Sequence, residues 1–183
     1  DFFGMIFYEK SPRNITFNEA KTLISASKKL KIKPVGVFVD HEINDLKKII
    51  SSLALKYIQL HGSENQMYID EIKNQFDVKI IKKISINNSE DFNTIDKFKN
   101  IDYLLFDYKP DNDELPGGNA KSFDWNLLKG QEIKLPWFIS GGINETNIKK
   151  IQNLLNPNGI DLSSGVEVSK GIKSNSKIKN LFK

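Results

Sequence analysis

Short β-rich runs alternate with longer segments of helical spacing from one end of this chain to the other, and that alternation limits the possible folds more than any other feature. The runs fall at residues 2–8, 34–39, 57–60, 78–84, 103–106, 137–139 and 160–162. Helical periodicity fills 17–30, 43–53, 64–76, 89–98, 144–155 and 176–182. In the second of these, Ile43, Leu46, Ile49, Ile50 and Leu53 share one stripe. Thr16, Ser63, Ser89 and Asn144 stand where helix caps are expected. Strand and helix alternating every ~20–30 residues is the pattern of right-handed βαβ units, and hence of a parallel sheet. The 183 residues, 39% of them hydrophobic, are enough for one core and too few for two ordinary domains, so a single domain over 1–183 is expected.

Seven parallel strands are one short of a closed (β/α)₈, or TIM, barrel. An open doubly wound sheet is the other architecture with this alternation, but its usual glycine fingerprint after the first strand is missing, as is a P-loop. The chain opens at Asp1 and passes directly into the apolar run 2–8, with no polar preamble or signal-peptide n-region. The expectation is a TIM barrel with seven of its eight strands, entered after its first βα unit. With no cysteine, a disulfide framework, a Cys-ligated metal and a thiol nucleophile are excluded within these residues. No apolar run approaches the ~20 residues of a membrane helix, so a cytoplasmic protein without a membrane partner is expected. Lys plus Arg number 27 against 23 Asp plus Glu, a net charge of +4, with the signs interspersed; nucleic acid is not an expected partner.

In either parallel architecture the site forms where strands end. Ser140-Gly141-Gly142-Ile143-Asn144 and Asp161-Leu162-Ser163-Ser164-Gly165-Val166-Glu167 both leave buried strands through glycine. Such turns let backbone N–H groups approach an anion, and two on neighbouring strands read as a phosphate cradle; one alone reads as a turn of the chain. Asp107 closes the run 103–106, where a partly desolvated carboxyl suits a general acid, although capping a turn is its ordinary role. The loop 108–122, with Gly117-Gly118, is long enough for a lid. Arg13 is the sole arginine in a chain that otherwise uses lysine, and its planar fork suits a carboxylate; a surface ion pair is the alternative. His61 fits a proton carrier, a phosphate contact or a hydrogen-bonded structural histidine, and His41 reads as solvated.

The segments Phe7-Tyr8-Glu9-Lys10-Ser11-Pro12-Arg13, Val35-Gly36-Val37-Phe38-Val39, Ile58-Gln59-Leu60-His61-Gly62, Leu104-Leu105-Phe106-Asp107 and Gly117-Gly118-Asn119-Ala120-Lys121-Ser122-Phe123-Asp124-Trp125, with the two glycine turns above, resemble phosphoribosylanthranilate isomerase in the family's order. The resemblance implies a (β/α)₈ barrel that catalyses an Amadori rearrangement in tryptophan biosynthesis without cofactor or metal, on a small phosphorylated substrate. It implies Asp107 as the general acid and Arg13 at the anthranilate carboxylate. It also puts Gly142, Ser164 and Gly165 in the phosphate-binding loops and Asp161 near the reaction centre; with the strand-end reading above, Gly141 is expected to join the phosphate contacts, and His61 and Asp161 the substrate contacts. Two departures stand out. The family's base is a cysteine in a first-strand Lys-Ile/Phe-Cys-Gly segment with no counterpart here, so little or no turnover is expected of these residues alone. Gly118-Asn119-Ala120-Lys121 replaces the usual Gly-Ser/Thr-Gly-Lys.

Other readings predict other residues. Indole-glycerol-phosphate synthase would call for catalytic lysine and glutamate at strand ends, which fits poorly with Asp107 and its long loop; the ribonucleotide Amadori isomerase is another phosphate-binding barrel of this kind. A non-catalytic phosphate- or RNA-binding protein would gather lysines on one face, whereas Lys28, Lys29, Lys47, Lys48, Lys149 and Lys150 are expected on helix surfaces facing water.

Overall fold

In the computed structural model, which describes residues 1–110 and 121–181, strands β1 (Phe2–Phe7), β2 (Lys33–Phe38), β3 (Tyr57–Leu60) and β4 (Lys79–Ile86) pair in chain order. All of these pairings are parallel. They belong, with β4 as far as Lys82, to a first compact unit of residues 1–82 and 97–102. The register Phe7↔Phe38↔Leu60↔Lys82 brings β1, β2 and β3 to their ends at one level, beside Lys82 in the middle of β4. Val35, Gly36, Val37 and Phe38 of β2 are all buried, as expected of a parallel strand covered on both faces.

Helices α1 (Phe17–Ser27), α2 (Ile43–Leu53) and α3 (Gln66–Gln75) alternate with these strands. Thr16 caps α1 as expected: its side chain accepts the Glu19 N–H while Glu19 accepts the Thr16 N–H, a complete capping box. The apolar stripe of α2 buries Leu46, Ile50 and Leu53. Ser63 does not cap α3. Asn65 does, accepting the Tyr68 N–H, because Glu64 is drawn into the interior and the helix starts beyond it. His41 is not solvated but half-buried, its ring edge-on to Phe38 and its carbonyl accepting from Tyr68 Oη.

The second compact unit comprises residues 83–96 and 103–183. It holds the end of β4, then β5 (Tyr103–Tyr108), β6 (Trp137–Ile139) and β7 (Gly159–Ile160), the last three paired in parallel. Helices α4 (Ile148–Leu154) and α5 (Asn175–Asn180) and an antiparallel pair, β8 (Glu167–Ser169) with β9 (Ile172–Lys173), also belong to it. Three expectations need correcting. Residues 89–97 form a 3₁₀ helix instead of the expected α-helix, and Asn88, not Ser89, caps its start by accepting the Glu90 N–H, while Asp91 reaches back to accept the Asn87 and Asn88 N–H groups ahead of the helix. Asn144 does not cap α4; its side chain accepts the Thr146 N–H and hydroxyl, folding a turn that delays the helix to Ile148. The last strand ends at Ile160, although the Asp161 N–H still reaches the Ile139 carbonyl. The expected lid at Gly117-Gly118 lies outside the described residues.

Candidate active site

Asp107 is the penultimate residue of β5 and 7% exposed, so β5 runs two residues further than expected and carries the carboxyl into its buried end. Its Oδ1 accepts the Tyr108 N–H at 2.9 Å, which fixes the carboxyl's orientation. Beside it, Ser140 leaves β6 with both N–H and Oγ–H donated to the Phe106 carbonyl, at 2.9 and 3.1 Å. That double tie brings the following residue against Asp107: a Cβ on Gly141 would lie 3.4 Å from Asp107 Oδ1 and 3.2 Å from the Lys121 carbonyl oxygen. Gly141 and Gly142 have φ of 92° and 65°, a left-handed pair that other residues adopt only with strain.

The second turn meets the first. A Cβ on Gly165 would sit 1.9 Å from the Ile143 carbonyl oxygen, so the Ser164-Gly165 backbone lies directly against the segment following Gly142. The Gly142 carbonyl accepts the side-chain amides of Asn144 (3.2 Å) and Asn147 (3.0 Å). Within this unit, Asp107, Gly141, Gly142 and Gly165 are thus linked through successive close approaches, with Ser164 adjoining. Asp161 is exposed at the end of β7.

In the first unit, the chain beyond β1 folds into a short hydrogen-bonded loop. Tyr8 N–H donates to Asn14 Oδ1, the Ser11 N–H to the Tyr8 carbonyl, and the Arg13 N–H to Ser11 Oγ. Arg13 emerges half-buried from this loop at the β1 end. His61 follows β3. Its N–H donates to the Phe38 carbonyl at 2.8 Å, and its ring Nδ1 lies 2.8 Å from Oε1 of buried Gln59, a pattern that assigns the ring proton to Nδ1.

Sequence reasoning missed Lys82 and Glu64. Their side chains are 2% and 1% exposed and pair at 2.7 Å, and the lysine also donates to the Gly62 carbonyl. The legible signal was a lysine inside an apolar parallel strand, Ile80-Ile81-Lys82, where a cation needs a buried partner. Of the helix-surface lysines, Lys47 and Lys48 are held by Glu71 and Asp45.

A model of the N-(5′-phosphoribosyl)anthranilate isomerase family matches residues 1–183, the whole chain. The chain belongs to that family. It is 34% identical to N-(5′-phosphoribosyl)anthranilate isomerase of Paramagnetospirillum magneticum, covering 100% of this chain and 86% of the relative. The crystal structure of phosphoribosylanthranilate isomerase from Thermotoga maritima superposes with a TM-score of 0.86 at 28% identity, over 100% of this chain and 86% of that one. A second isomerase crystal structure, in complex with reduced 1-(o-carboxyphenylamino)-1-deoxyribulose 5-phosphate, gives a TM-score of 0.83 at 27% identity, over 99% of this chain and 84% of that one. The parallel α/β fold expected from the alternation is the family's fold. Among the described residues no helix is long and apolar enough to cross a membrane.

Proposed function

We propose that this chain binds N-(5′-phosphoribosyl)anthranilate in tryptophan biosynthesis, and that it supplies the acid, phosphate and carboxylate contacts of the substrate's Amadori rearrangement. The observation that carries the reading is the chain of close approaches from Asp107 through Gly141 and Gly142 to Gly165. A phosphate held by backbone N–H groups at these turns would be reached from the Asp107 side through Gly141, where an added Cβ would lie 3.4 Å from Asp107 Oδ1. The Gly142 carbonyl, which would repel a phosphate, is occupied by the Asn144 and Asn147 amides.

Asp107 gives its proton to the ribose ring oxygen as the bond from that oxygen to C1′ breaks, and the anthranilate nitrogen lone pair forms the C=N of a Schiff base. Loss of the C2′ proton to a base gives an enolamine, which tautomerises to the ketone; atoms and electrons balance without an oxidant. Arg13 holds the anthranilate carboxylate as a two-pronged donor. His61, its ring held by Gln59, contacts the substrate at the end of β3, and Asp161 contacts the sugar from the end of β7. The reaction uses no metal or cofactor in this scheme, and the compartment is the cytoplasm.

The cysteine base implied by the resemblance is not among these 183 residues. A positioned base contributes ~10²–10⁴ in rate, so turnover by this chain is expected to fall short of the Thermotoga maritima enzyme's by about that factor. Calorimetric titration with reduced 1-(o-carboxyphenylamino)-1-deoxyribulose 5-phosphate tests the site independently of the base, and saturable one-to-one binding is expected. A folded chain that ignores this compound overturns the substrate reading; full turnover overturns the base assignment.

A further inference from the structure

Glu64 and Lys82 form the most deeply buried ion pair among the described residues, in the first unit and outside the machinery above. Removing two such charges from water costs several kcal/mol per ion, and a well-packed apolar pair in their place is often as stable or more so. Stability alone therefore gives weak reason for them. Their remaining bonds give a better one, because each goes to backbone at the ends of β2 and β3.

Glu64 accepts the Asp40 N–H at 3.0 Å and the Gly62 N–H at 3.1 Å, and Lys82 Nζ donates to the Gly62 carbonyl at 2.9 Å. Asp40 in turn accepts the Ser63 N–H at 2.6 Å while holding a left-handed φ of 44°. A Cβ on Gly62 would meet Asp40 atoms at 2.5–2.7 Å, so the two loops interlock. The peptides on both sides of Gly62 are pinned by the pair. The N–H of His61 is pinned by Phe38 and its ring by Gln59.

We propose that the Glu64–Lys82 pair is a positioning device that fixes His61 for substrate binding by clamping the loops after β2 and β3. This rests on the substrate reading above. The pair touches no substrate; it acts through the Gly62 backbone, and its removal frees the imidazole to lose its register with Gln59.

Two double variants test the idea. Lys82→Met/Glu64→Leu removes both charges and every loop bond, while Lys82→Met/Glu64→Gln is neutral but keeps an acceptor oxygen for the Asp40 and Gly62 N–H groups. Each is measured against the wild-type chain by thermal melting, by titration with reduced 1-(o-carboxyphenylamino)-1-deoxyribulose 5-phosphate, and by the ¹⁵N ring shifts of His61, which report its tautomer. The Leu variant is expected to melt at or above the wild-type temperature, bind the compound about 10- to 100-fold more weakly, and lose the single Nδ1–H signature; displacing a contact by ~1 Å has effects of this size. The Gln variant is expected to recover the signature and most of the affinity. Unchanged binding with an unchanged His61 spectrum in the Leu variant overturns the proposal, as does weaker binding with that spectrum intact. If the Leu variant does not fold, a Gln variant that folds but lacks the His61 signature overturns it. If the wild-type chain itself does not bind the compound, the substrate reading fails, and the His61 spectra without ligand still decide whether the pair positions the ring.

Discussion

Replacing Gly165 by alanine tests the closeness of the two glycine turns with a single methyl group. The added Cβ would lie 1.9 Å from the Ile143 carbonyl oxygen and 2.9 Å from its carbon, and both are backbone atoms that no rotamer change can remove. Since an unstrained contact needs about 3.2–3.4 Å, the turns must separate by about 1.3–1.5 Å, a distance set by ordinary van der Waals packing. Overpacking of this kind costs about 1–3 kcal/mol of stability, and the displacement would cost about 2 kcal/mol of phosphate binding, roughly 30-fold in Kd. Gly130→Ala is the control: it meets nothing within 4 Å but sits at φ 79°, so it carries backbone strain of about 1–2 kcal/mol with no contact to either turn. Isothermal titration with inorganic phosphate and with reduced 1-(o-carboxyphenylamino)-1-deoxyribulose 5-phosphate, beside urea unfolding, separates the two. Both substitutions should lower stability, but only Gly165→Ala should weaken both ligands. Equal, undiminished binding by the two variants would refute the phosphate cradle.

Arg13→Lys keeps the charge and loses the fork, so binding of the reduced product analogue should weaken about 10-fold while inorganic phosphate binds as before; equal losses on both ligands would remove Arg13 from the carboxylate. Asp102 offers a prediction on pH. Burial pushes its carboxyl up, but hydrogen bonds from Lys73, Lys79 and the Ile80 N–H outweigh that and hold its pKa below the ordinary value. A group depressed in the folded state stabilises fully above its unfolded pKa, about 3.9 for aspartate, and loses that contribution as pH falls through the folded value. Asp102→Asn should therefore cost about 1.5–3 kcal/mol at pH 7, with the gap to wild type closing below about pH 4 in urea titrations. A gap that stays constant down to pH 2.5 would contradict the account.

Legibility in the sequence followed the range of the forces involved. The cap at Thr16 and the apolar stripe of α2 are set by residues within a turn or two of each other, and both stand where the pattern put them. Asp107 and the two glycine turns were readable because a parallel architecture fixes where strands end. The starts of α3 and α4 were misread because several polar residues in a row could each cap. What selected Asn65 over Ser63 was the burial of Glu64 against a lysine 18 positions away, which no local pattern encodes. Lys82 itself was hidden by its type, since lysine is read as solvent-facing unless its partner is known.

The sequential strand order bears on how the polypeptide emerges from the ribosome. In the first unit Phe2 meets Lys33, Gly36 meets Ile58 and Tyr57 meets Lys79, so each strand finds its neighbour within one further βα step of synthesis. The second unit repeats this from Leu104 to Trp137 and from Phe138 to Gly159. Among the pairings described, no strand waits for a distant segment to be translated, and loop-closure entropy stays small at each of these steps. The edges that pair in this way are therefore exposed only for the seconds that ~20–35 codons take at typical elongation rates, which shortens the window for aggregation during translation.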